Sequence, residues 1–71
     1  MKLLSKITTR EKQVLRMIAD EHNTKEIANK LNLSPHTIVS HRRSLLVKLN
    51  VKNVAGLVRK GLESGIIFLK V

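Results

Sequence analysis

Seventy-one residues suffice for one domain, and the absence of cysteine removes both a disulfide framework and a thiolate metal site. Phe68 is the sole aromatic residue, so the core must be aliphatic and the base-stacking platforms that bind single strands are missing. Fourteen Lys and Arg against five Asp and Glu leave a net charge of +9, with +6 of it in residues 36–71; such a balance points first to nucleic acid and second to an anionic membrane surface.

Start signals mark four helices. The first, about 8–20, opens at Thr8 with Glu11 three residues on, the spacing at which hydroxyl and carboxylate each bond the other's backbone N–H. Val14, Leu15 and Ile18, with Met17 beside them, give it an apolar face. The second, about 23–31, opens at Asn23 with Glu26 at the same spacing and is expected to bury Ile27, Ala28 and Leu31. It ends at Asn32, a residue that tolerates the left-handed backbone of helix ends. Only Asn32 and Leu33 lead to the third, about 34–49, where Ser34 is the cap and Pro35 occupies the first position, which needs no N–H. "NVKN" interrupts the pattern, and Asn53 caps a fourth helix, about 53–65, closing at Gly65. The apolar tail "IIFLK" is too short to span a membrane and is expected to fold back on the core. The sequence thus predicts an all-α four-helix bundle, a single domain over 1–71 with a helix-turn-helix at 23–49.

The third helix carries the chemistry. At about 100° per residue, Ile38, Leu45 and Leu49 share one face, with Leu46 at its edge, while His36, Ser40, Arg43 and Val47 form the opposite stripe with Val39 alongside. A short helix, a tight turn and a longer helix with a polar outer face is the helix-turn-helix layout. In it the N-terminal residues of the second helix meet base edges in the major groove. Arg43 has the planar fork that matches guanine O6 and N7, Ser40 a hydroxyl for most bases, and Val39 only an apolar contact, for instance with a thymine methyl. One exposed arginine is ordinarily just solvated. Arg42, Arg43, Lys48, Lys25 and Lys30 around one short-turn helix pair argue instead for a phosphate-facing surface.

The segment "ITTREKQVLRMIADEHNTKEIANKLNLSPHTIVSHRRSLLVKLNV" resembles the LuxR-type, or GerE-like, helix-turn-helix domain of bacterial transcription regulators. The family's "LT-x-RE-x-x-VL" opening is met by Ile7, Thr8, Arg10, Glu11, Val14 and Leu15. Its "KEIA-x-x-L-x-x-S-x-x-T" core is met by Lys25 to Ala28, Leu31, Ser34 and Thr37; His41, then Lys48, Leu49 and Val51, then Gly65 and Ile67 complete it. The resemblance implies a sequence-specific binder of double-stranded DNA, dimeric on an inverted repeat. Val39, Ser40 and Arg43 would face bases. Thr24, Lys25, Thr37, Arg42 and Lys48 would hold the phosphate backbone, and Leu57, Val58 and Gly61 on the fourth helix would form the dimer contact. It further implies RNA polymerase as a partner, and an N-terminal receiver or ligand-binding domain for which 71 residues leave no room, making the chain a stand-alone regulator or an excised piece.

Departures from the family pattern carry their own expectations. Val39 stands where Lys or Arg is common, and Val54 replaces a common arginine. Glu21 stands where a helix-ending glycine is usual and is strained if its backbone is left-handed. Gly61 replaces a small residue, usually alanine, at about 1 kcal/mol of helix propensity, and permits close helix approach, which either helps a dimer or is simply tolerated. His41 is expected to be half-buried, bonded to a neighbouring turn. His36 and His41, five apart, diverge on a helix, so neither a metal nor a cofactor is expected.

The competing classes are weaker. No phosphate-binding glycine loop or acid pair suggests an enzyme. A membrane-surface binder would pair its basic face with Trp, Phe or Leu anchors, whereas these apolar stripes face one another. A helix-turn-helix-derived interaction module with only non-specific DNA affinity is the alternative that Val39 keeps open, and a sigma-factor-like domain is a near neighbour in fold. The opening "MKLLSKITTR" has no apolar run of signal-peptide or membrane length, so a cytoplasmic location is expected.

Overall fold

The computed structural model describes residues 6–68. It contains four helices among those residues: α1 (Thr9–Ala19), α2 (Thr24–Leu31), α3 (Pro35–Lys48) and α4 (Val54–Ser64). The expected elements are present, shortened by their caps. Thr8 accepts from the Glu11 N–H at 3.0 Å while Glu11 Oε1 accepts from the Thr8 N–H at 2.9 Å. Asn23 and Glu26 repeat that exchange at 2.8 Å each way. Ser34 Oγ accepts from the Thr37 N–H at 3.1 Å, and Asn53 Oδ1 from the Gly56 N–H at 3.0 Å. Each helix therefore starts on a side chain that satisfies one of its orphan donors.

The first three helices stop in one way. The N–H groups of His22, Leu33 and Val51 reach back five residues to Met17, Ala28 and Leu46 O, and those of Glu21, Asn32 and Asn50 reach back three. This double closure puts the intervening residue in the left-handed region, where Glu21, Asn32 and Asn50 have φ of 68°, 59° and 56°. Asparagine accepts that backbone readily; glutamate does not. The strain expected at Glu21 is present. Glu21→Gly is expected to stabilise the fold by about 1 kcal/mol, the left-handed penalty less the added chain entropy, or about 4–8 °C in Tm for a domain of this size. Glu21→Ala, which keeps the Cβ, should leave Tm within about 2 °C, and thermal unfolding of the pair decides it.

The core is aliphatic. Val14, Leu15 and Ile18 of α1, Ile27 and Ala28 of α2, Ile38, Leu45 and Leu49 from the face of α3, and Leu57 of α4 are buried together, with Ile7 ahead of them. Leu31 is only partly buried against this cluster. α3 packs on both α1 and α2, and α1 also packs on α4, so α3 is braced on its inner face and bare on its outer one. The tail divides. Ile66 and Ile67 are buried, and the backbone there is held by Ile67 N–H to Gly61 O at 3.0 Å and Arg16 Nε to Ile66 O at 3.1 Å. Phe68 is 77% exposed; Leu69 and Lys70 lie outside the described residues.

Packing corrects part of the expected dimer contact. Leu57 is 1% exposed and belongs to the monomer's own core. Gly61 is buried, and a Cβ there would lie 2.7 Å from Ile67 Cγ1, so its missing side chain makes room for the tail. Neither presents a side chain to a second molecule. Val58 is half-buried and is the member of the expected trio that reaches the surface.

Candidate nucleic-acid interface

Because Ile38, Leu45 and Leu49 turn inward, the residues between them turn out. Ser40 and Arg43 are exposed, Val39 is 41% exposed, and Val47 is 74% exposed one turn beyond Arg43. The three residues expected to face bases therefore lie on one bare surface, in the first three turns of α3. Arg42 and Thr37 flank it half-buried. The Thr37 hydroxyl shares a hydrogen bond of 2.9 Å with Ser34 Oγ, which leaves the Thr37 Oγ1 at the opening of the helix.

α2 contributes a second edge. Thr24 is half-buried and Lys25 exposed at its first two positions, where backbone amides have no acceptor within the helix and favour an anion. α3 opens likewise after the Ser34 cap. The N-terminus of α2, with Lys25 at its second position, and that of α3 are each suited to a phosphate oxygen. His41 is half-buried as expected, but among the described residues it makes no hydrogen bond to a turn.

Lys48 does not join this surface. Its ammonium donates to Lys6 O at 2.9 Å and to Glu11 Oε1 and Oε2 at 2.9 and 3.1 Å, so all three donors are engaged within the fold. Ser44 Oγ donates to Glu11 Oε2 at 2.7 Å. Glu11 is 4% exposed and its carboxylate takes four hydrogen bonds counting the Thr8 amide. Burial acts strongest on its pKa and in the upward direction. The Thr8 amide, Lys48 and Ser44 together outweigh it and hold the pKa at about 2 against an ordinary 4.5. The cluster ties the C-terminal half of α3 to the start of α1 and so fixes how the outer face is presented.

That cluster is what sequence reading missed. In the sequence the cap alone accounts for Glu11. The signal was nonetheless there: Glu11 stands at i of the i, i+3, i+4, i+7 stripe completed by Val14, Leu15 and Ile18, and a carboxylate on a core-facing stripe requires a partner. Ser44 and Lys48, four apart beside Leu45 and Leu49, were the polar residues on α3 able to meet it.

A braced two-helix unit with a bare, cationic second helix defines a helix-turn-helix domain. Residues 5–60 match the family model described as bacterial regulatory proteins, luxR family, and the chain belongs to that family. It is 39% identical over 62 residues to the uncharacterized response regulatory protein YgeK of Escherichia coli (strain K12), covering 87% of this chain and 42% of YgeK. It is 41% identical over 59 residues to the transcriptional regulatory protein DesR of Bacillus subtilis (strain 168), covering 83% and 30%. The structure of the transcription factor GerE superposes with a TM-score of 0.84 at 25% identity, covering 89% of this chain and 94% of that one. The chain thus spans less than half the length of YgeK and of DesR. Among the described residues no helix is long and apolar enough to cross a membrane.

Proposed function

We propose that the chain is the DNA-binding part of a bacterial transcription regulator and lays α3 in the major groove of a specific duplex. The observation that carries this is the outer face of α3: Val39, Ser40 and Arg43 stand exposed together on a helix whose other face is locked into the core. Thr24, Lys25, Thr37 and Arg42 are the phosphate contacts of this reading; Lys48 acts instead by positioning α3 through Glu11. No step of it calls for catalysis, and a cytoplasmic location follows from the DNA target.

A homodimer on an inverted repeat belongs to the same proposal. Val54, 43% exposed, and Val58 lie four apart on the outer side of α4 and give a second copy an apolar seam, in place of Leu57 and Gly61. An N-terminal receiver or ligand-binding domain is supported by the greater length of the relatives, and RNA polymerase follows as a partner from the family resemblance alone.

Binding to a labelled random-sequence duplex between 50 and 200 mM salt tests the electrostatic half of the proposal. Affinity should fall linearly in log–log form, and Lys25→Ala should reduce the slope by about 1. No binding even at 50 mM would contradict the proposal. Binding with no sequence preference would favour the interaction module, a reading that the uncharged Val39 supports.

A further inference from the structure

Val39 is an apolar residue on the outer face of α3 that takes no part in the core cluster. Its neighbour Ile38 is fully buried, whereas Val39 keeps 41% of its surface exposed beside Ser40. It supports no cap, closes no turn and lies outside the core cluster. An apolar, β-branched side chain standing in the middle of a cationic reading surface has one kind of major-groove partner. It can neither donate nor accept, so N7, O6, O4 and the exocyclic amines offer it nothing, and the C5 methyl of thymine is the feature it can distinguish.

Its position relative to Arg43 restricts the site further. The two are four residues apart in a regular helix, one turn and about 6 Å along the axis. Successive base pairs are about 3.4 Å apart, so side chains this close reach base edges at most about two pairs from each other, and the guanine's own pair holds no thymine.

We propose that Val39 is a methyl-reading residue: its isopropyl group packs on the C5 methyl of a thymine lying one or two base pairs from the guanine held by Arg43 in each half-site. This rests on the DNA-binding reading above and adds to it the chemistry and spacing of one base. A lysine or arginine at the same position would reach an acceptor or a phosphate; valine exchanges that reach for discrimination between thymine and cytosine at one place.

The test uses the best duplex recovered from a randomised pool, and copies in which thymines are replaced one at a time by deoxyuridine, which removes the methyl and keeps the pairing. One replacement in each half-site should weaken wild-type binding about four-fold, the worth of one methyl withdrawn from water. Val39→Ser, at an exposed position the core does not need, should bind the parent duplex more weakly and treat thymine and deoxyuridine there alike. It should still lose affinity when the neighbouring guanine is replaced. If no deoxyuridine copy changes wild-type affinity more than two-fold while the guanine still matters, Val39 is inert and the inference fails alone. Sensitivity that persists in Val39→Ser assigns the methyl to another residue and also overturns it. A pool with no enriched sequence overturns the inference together with the DNA-binding reading.

Discussion

Glu11→Ala is expected to cost about 3 kcal/mol of stability, the low end for breaking a buried ion pair, because Lys48 keeps partial access to water. A domain of this size has roughly 4–10 kcal/mol in total, so the urea midpoint should fall by a third or more. The loss has two sources. The Thr8 amide, Ser44 and Lys48 lose their shared acceptor, and α1 loses one half of its capping box. Lys48→Met should be comparably damaging, since it leaves a buried carboxylate without its counter-charge. The double variant should cost much less than the sum of the two, as partners in one network do.

Acid makes the same point without a mutation. The folded-state pKa of Glu11 lies near 2, below its ordinary 4.5. The stabilisation this represents is therefore fully present above about pH 5 and is lost as pH falls from 4.5 toward 2. Denaturant midpoints should drop steeply across that window in the wild type, and the drop should be much shallower in Glu11→Gln. Equal slopes in the two proteins would show that the cluster does not hold the charge in the way described.

Arg43→Ala should leave stability within about 0.5 kcal/mol, since its side chain is exposed and bonds nothing among the described residues. Its effect falls on DNA. A bidentate arginine–guanine pair is worth about 1–3 kcal/mol of discrimination, and the proposed homodimer would make it twice. Replacing that guanine by 7-deazaguanine removes the N7 acceptor alone; it should weaken the wild type about ten-fold per half-site and leave Arg43→Ala nearly unaffected. Lys25→Ala should behave differently, because the phosphate contact proposed for it would be lost equally on every sequence.

The fold was legible in the sequence because its signals were local. Thr8, Asn23, Ser34 and Asn53 announce their helices through side chains three residues from the groups they bond, and the apolar stripes need only the helical period. The left-handed backbone at Glu21 was signalled through the family pattern alone, in which a helix-ending glycine is usual at that position. What escaped was long-range. Lys48 read as one more cation on a basic helix, since nothing near it in sequence reveals that its ammonium lies against Glu11, 37 residues away. Leu57 and Gly61 read as a seam for a partner for the same reason: the segment that covers Gly61, at Ile67, reaches it only after the chain has turned at Gly65. The exposed face of α3 was the more readable part of the candidate site, because exposure on a helix follows from what its opposite face buries.

The most direct measurement is selection of duplexes from a randomised pool at roughly physiological salt, with the wild type and Arg43→Ala in parallel. The wild type should enrich an inverted repeat with a guanine fixed in each half-site, and Arg43→Ala should relax that position while leaving the rest of the repeat recognisable. Enrichment of the same site by both proteins, or of none by either, would contradict the claim that the outer face of α3 reads DNA.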